Sequence, residues 1–107
     1  MIKLNYEGKA YSLEYSRQSV RTMEAQGFNI EDVNKKPMTM IPMLFYGAFL
    51  KHHTGMKRKL VDEIYDSIAD KSGLLSALIE LYGETLSTLT DDAEESEGNA
   101  SWEVVKG

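Results

Sequence analysis

The sequence predicts an α+β fold, mainly α, made of an N-terminal β-hairpin, about four helices and a disordered acidic C-terminal tail. Three observations carry this. Large side chains alternate with polar ones over residues 2–15, apolar residues recur at helical spacing across 17–89, and residues 91–107 hold six acidic side chains against one lysine. A chain of 107 residues supports one core and not two. The body is therefore placed at residues 1–90 and the tail at 91–107.

In the hairpin, Ile2, Leu4 and Tyr6 alternate with polar residues, and Tyr11, Leu13 and Tyr15 do so again. With Glu7-Gly8 as a two-residue loop, Leu4 faces Tyr11 and Ile2 faces Leu13, which puts the large side chains on one face. Two strands alone are marginal in water, so that face must cover helices or find another partner. Ser16 is a natural N-cap for a first helix over Arg17–Gln26, with Val20 and Met23 inward and Gly27 as the left-handed stop.

A second helix is expected over Met40–His53, with Thr39 as its cap and Pro42 in its first turn, where a missing N–H costs nothing. Ile41, Leu44, Phe45, Phe49 and Leu50 form its main stripe, while Met40, Met43, Tyr46 and Ala48 widen the apolar surface. So greasy a helix reads as the centre of the domain, as a binding face, or as both. Thr54-Gly55 breaks it. Leu60, Ile64 and Ile68, with Val61 and Tyr65, predict a third helix over Lys57–Ala69. Asp70-Lys71-Ser72-Gly73 reads as a turn, and Leu75, Leu78, Ile79, Tyr82, Leu86 and Leu89 predict a fourth helix over Leu74–Leu89. Beyond it, an acidic linker leads to Trp102-Glu103-Val104-Val105, an apolar motif that either docks on a partner or folds back as a third strand beside the hairpin.

The net charge of −5 is confined to the tail, because the first 90 residues carry eleven basic and eleven acidic side chains. That balance argues against non-specific nucleic-acid binding, which draws on Lys and Arg to neutralise phosphates. One local exception is Lys51, Lys57, Arg58 and Lys59. It reads as a solvated loop and helix start, or as the phosphate site of a small helical nucleic-acid-binding regulator, the alternative function. No run is long and apolar enough to cross a bilayer, no secretory leader is visible, and the protein is expected to stay inside a cell.

No catalytic constellation is legible. There are no cysteines, the glycines never assemble into a phosphate-cradling loop, and His52 and His53 are adjacent, so on a helix they diverge by about 100° and cannot chelate one ion. A helix-end role suits them better, since an imidazolium favours the C-terminal end of the dipole. No enzyme activity, cofactor or metal is expected. What remains is surface: six methionines and six tyrosines supply adaptable, amphipathic contacts. The candidate partner-binding residues are Met40, Met43, Tyr46, Tyr82 and Trp102, on a surface built from the second and fourth helices.

The hairpin, the stretch from Ser16 to Ile30, the Phe45-Tyr46-Gly47-Ala48-Phe49 and Asp62-Glu63-Ile64-Tyr65 segments, and the acidic linker ending in Trp102-Glu103-Val104-Val105 together resemble the small tail assembly chaperones of long-tailed bacteriophages and prophages of Gram-positive bacteria. The likeness covers nearly the whole chain and contains no catalytic signature. It implies a morphogenesis factor that acts in the host bacterial cytoplasm and is absent from the mature virion. Such a factor binds the tape measure protein and helps to recruit tail tube subunits. Apart from the resemblance, the short hairpin leaves strand edges that a second copy could pair, so a homo-oligomer is a further expectation. Members of that family come in two lengths through ribosomal frameshifting, and this chain would correspond to the short form.

Overall fold

The structure, a computed structural model, describes residues 1–91 and 100–105. It confirms an α+β fold that is mainly α, with a hairpin followed by four helices. Strand β1 (Ile2–Tyr6) pairs antiparallel with β2 (Lys9–Leu13), with Ile2 opposite Leu13, Leu4 opposite Tyr11 and Tyr6 opposite Lys9. The turn between them has φ of 49° at Glu7 and 78° at Gly8. Both central residues are thus left-handed, the type I′ geometry whose twist matches that of the strands. Leu4, Tyr11 and Leu13 are buried on the inner face.

Helix α1 (Arg17–Ala25) opens on a reciprocal cap: the Ser16 hydroxyl accepts the Ser19 N–H, and the Ser19 hydroxyl accepts the Ser16 N–H. It closes as a Schellman motif, in which Phe28 N–H donates to the Met23 carbonyl and Gly27 N–H to Glu24. Gly27, at φ 98°, supplies the left-handed residue this requires. A 3-10 turn at Ile30–Asp32, capped by the Asn29 side chain, then leads into the second helix.

Helix α2 spans Pro37–Gly47, so it starts and ends earlier than the expected Met40–His53. Pro37 takes the first helical position, where its fixed φ favours the helix. Thr39 and Met40 donate to the Lys36 carbonyl, which makes Thr39 part of the first turn and not its cap. Pro42 lies inside the helix and frees the Met38 carbonyl, at a residue that is 90% exposed and open to solvent. After Gly47 the backbone tightens to i→i+3 bonds through Leu50, which carry the fully buried Ala48 and Phe49. Gly47 allows α1 to approach closely, because a Cβ there would strike the Met23 side chain.

Helix α3 covers Arg58–Asp66 and α4 covers Lys71–Ser87. The expected turn at Asp70–Gly73 is instead the cap and first turn of α4. The Asp70 carboxylate accepts the Gly73 N–H at 2.9 Å, and a Cβ at Gly73 would collide with that carboxylate. Helix α2 is the hub, packed against α1, α3, α4 and the 3-10 turn. Edge-to-face aromatic pairs run through the core from Tyr11 to Phe49, Phe45 and Tyr65, with centroids 5.1–5.7 Å apart. Ile79 and Leu89, expected on the inner stripe of α4, are exposed.

Candidate functional site

The hairpin is fastened to the α2 end of the core by its outer strand. In a two-residue hairpin the pair beside the turn is hydrogen-bonded and bonded pairs recur every second residue. Ser12 and Glu14 therefore point their N–H groups away from β1. Ser12 N–H donates to His53 Nε2 at 2.9 Å, and Glu14 N–H donates to the Ala48 carbonyl at 3.0 Å. The Tyr15 hydroxyl adds a buried bond to the Leu44 carbonyl, 2.6 Å long. Burial, with the Tyr82 phenol beside it, raises the Tyr15 pKa well above the ordinary tyrosine value.

This arrangement corrects the helix-end role expected of the two histidines. His53 Nε2 is an acceptor, so its ring is neutral; desolvation, then His52, Lys9 and Lys3, hold its pKa below the ordinary histidine value. His52 instead lies 3.1 Å from Glu14 Oε2, beside Lys51 Nζ at 2.9 Å. Hydrogen bonds from Lys51 first and His52 second lower the Glu14 carboxyl pKa. Of the basic cluster, Lys51 is thus paired, and the Arg58 guanidinium sits over the Tyr46 ring, 4.8 Å from its centroid.

A groove of about 500 Å³ lies between the N-terminal half of α2 and one face of α3. Pro37, Ile41 and Phe45 share one ridge of α2, Met38 and Pro42 the next, and Tyr65 closes the floor from α3. Arg58, Asp62 and Asp66 form a row at i, i+4 spacing along the α3 wall. An apolar trough with one cation and two carboxylates on its rim suits the apolar stripe of an amphipathic helix with basic flanks. Among the described residues no cluster of three His, Asp or Glu side chains is placed to hold a metal, and no helix is long and apolar enough to cross a membrane.

The five candidate contact residues do not converge. Met40 is buried, because it lies on the core side of α2 one turn before Leu44. Tyr82 is buried too, with edge-to-face contacts to Tyr15 and Phe28 at 5.5 and 5.3 Å. Neither offers surface to a partner in this fold. Met43 and Tyr46 are half-buried. Tyr46 is engaged structurally, since its hydroxyl donates to the Met56 carbonyl at 2.9 Å and Arg58 covers its ring. Trp102 is 86% exposed in a segment without regular secondary structure, and the only strands among the described residues are those of the hairpin. Most of the expected acidic linker lies outside the described residues.

On the groove side of α2, Met38 at the rim and Pro42 are exposed and Ile41 is half-buried, and reasoning from the sequence did not name them as contacts. The signal was present in the Pro37-Met38-Thr39-Met40-Ile41-Pro42 run. With Pro37 as the first helical residue, Pro37, Ile41 and Phe45 fall in line; starting the helix at Met40 hides that ridge.

Neither the curated proteins nor the solved structures contain a match to this chain. One family model does match, over residues 1–105, and its description is "Domain of unknown function (DUF5055)". With that match covering nearly its whole length, the chain belongs to the DUF5055 family.

Proposed function

We propose that the protein is a non-enzymatic assembly chaperone that holds a helical stretch of a longer protein in the α2–α3 groove. The single observation behind this is the groove itself: a trough with an apolar floor and a 90% exposed methionine at its rim. Methionine at such a rim adapts to varied side chains, which suits a surface that must grip a long client in more than one register. The likeness in layout and local wording to tail assembly chaperones supplies the client. It is the tape measure protein of a long-tailed phage, with tail tube subunits recruited around it in the host bacterial cytoplasm and the chaperone left out of the mature virion.

Co-expression with the tape measure protein of the same gene cluster tests this reading. The parent chain is expected to co-purify with it. Met38→Asp, which places a charge where the apolar stripe would lie, is expected to lose the client while keeping the parent's thermal midpoint. Recovery of client at the parent's level by both Met38→Asp and Asp62→Lys would remove the groove from consideration. Failure of the parent chain to retain any tape measure protein would remove the chaperone reading as a whole.

A further inference from the structure

The two edges of the hairpin are not alike. The outer edge of β2 is engaged at Ser12 and Glu14 by His53 and Ala48, which leaves only Ala10, beside the turn, open on that side. The outer edge of β1 is open: the register directs the N–H and C=O groups of Lys3 and Asn5 outward, both residues are exposed, and no described residue pairs with those backbone groups. An open edge on a two-stranded sheet is a template for a further strand, and proteins usually cover it.

The same chain carries a segment of suitable length and pattern. Residues 100–105 are exposed and take part in no helix or strand, with Trp102 at 86% and Val104 at 69% exposure. Alternation puts Trp102 and Val104 on one face of a strand and Glu103 on the other. Laid along β1, the first pair would extend the inner face beside the half-buried Ile2 and Tyr6, while Glu103 would join the outer face that carries Lys3. The tether also begins in the right place. Thr88, just past the end of α4, lines a common surface hollow with Met1 and Glu14 at the open end of the hairpin, and it is hydrogen-bonded to Arg17. From Asp91 to Ser101 the chain could span up to about 33–36 Å if fully extended, against about 17 Å for a five-residue strand.

Ser101–Val105 lies off the hairpin in this structure; we propose that in solution the same segment docks on the outer edge of β1 as a third strand. The tail would then shield the edge from other copies, at an effective concentration that a free partner would have to exceed. The β1 edge and the α2–α3 groove are separate surfaces, and either can act without the other.

Trp102 is the sole tryptophan, so its fluorescence reads the event in the full chain. The expected result is blue-shifted emission with several-fold less acrylamide quenching than in the denatured chain, together with slowed amide exchange at Lys3 and Asn5. Both should be unchanged across roughly a hundredfold dilution, as an intramolecular contact requires. Glu103 and Val104 turn their N–H groups to opposite edges of the strand, so one of Glu103→Pro and Val104→Pro removes an N–H facing β1 whichever way the strand runs; that variant should abolish both, speeding exchange at Lys3 and Asn5 about tenfold or more while Leu13 and Leu44 exchange as before. Freely quenched Trp102, or free exchange at Lys3 and Asn5 despite a shielded Trp102, would overturn the proposal. So would protection that fades on dilution as a dimer dissociates, since a second copy would then be the occupant.

Discussion

His53 Nε2 accepts the Ser12 N–H at 2.9 Å, joining the chain after α2 to the outer strand of the hairpin across 41 residues of sequence. The bond requires a neutral ring, because a protonated imidazole presents a donor to that N–H. The folded pKa of His53 is depressed, so as pH falls the unfolded chain binds the proton first. The stabilisation is therefore complete above about pH 6.5, the unfolded histidine value, and is lost as pH drops from there through the lower folded value. Denaturant melts of the parent and His53→Ala should differ by about 1–2 kcal/mol at pH 8, the cost of an unpartnered N–H. The gap should narrow by pH 5; one that is constant with pH would assign His53 a packing role alone.

Glu7 is the only non-glycine residue with positive φ among the described residues, at 49°, in the first central position of the hairpin turn. Asparagine tolerates that region better than glutamate, and Asn-Gly is the preferred pair for this turn. Glu7→Asn should stabilise the protein by about 0.5–1 kcal/mol, seen as a rise of a few degrees in Tm. No rise, or a fall, would show that the Glu7 side chain contributes something the turn geometry does not capture.

The hairpin was legible down to its register, because period-two alternation and a two-residue loop leave one pairing that buries Leu4, Tyr11 and Leu13 together. Helix starts were less legible. Thr39 and Pro42 imitate a cap and first turn as well as Lys36 and Pro37 do, and packing of Met40 against the core favours the earlier start. Gly73 reads as a breaker until the Asp70 carboxylate is seen occupying the space its Cβ would take. For the site, a count of methionines and tyrosines carries no direction. Which side of α2 faces solvent depends on where α1, α3 and α4 lie, and no local pattern encodes that.

Gly47 marks the closest approach of α1 and α2, with the space for a Cβ already filled by the Met23 side chain. Met23 is 2% exposed and cannot swing into solvent. Gly47→Ala should therefore cost about 1–3 kcal/mol through overpacking, and Met23→Ala about 2–5 kcal/mol through the void it leaves. Combined, the new methyl enters the vacated space, so the double variant should lose less than the sum by at least about 0.5 kcal/mol. Strict additivity in a double-mutant cycle would place the cost of Gly47→Ala in the backbone and not in the contact.

The Lys51–Lys59 stretch, together with the helix-rich layout, favoured a nucleic-acid regulator, and the fold employs half of the stretch's charges elsewhere. Lys51 is paired with Glu14, and the Arg58 guanidinium lies over the Tyr46 ring. Lys57 and Lys59 remain, too few to release the counterions on which phosphate-driven affinity depends. Duplex or single-stranded oligonucleotides at about 50 mM salt, where such binding is strongest, should show no retardation in a gel-shift. Retardation that weakens steeply with added salt and disappears in Lys57→Glu/Lys59→Glu would restore the regulator reading. The Glu14 contacts make a separate forecast: Glu14→Gln frees Lys51 from its ion pair, and if phosphate binding is absent for want of available charge, the variant should gain a weak, salt-sensitive shift that the parent lacks.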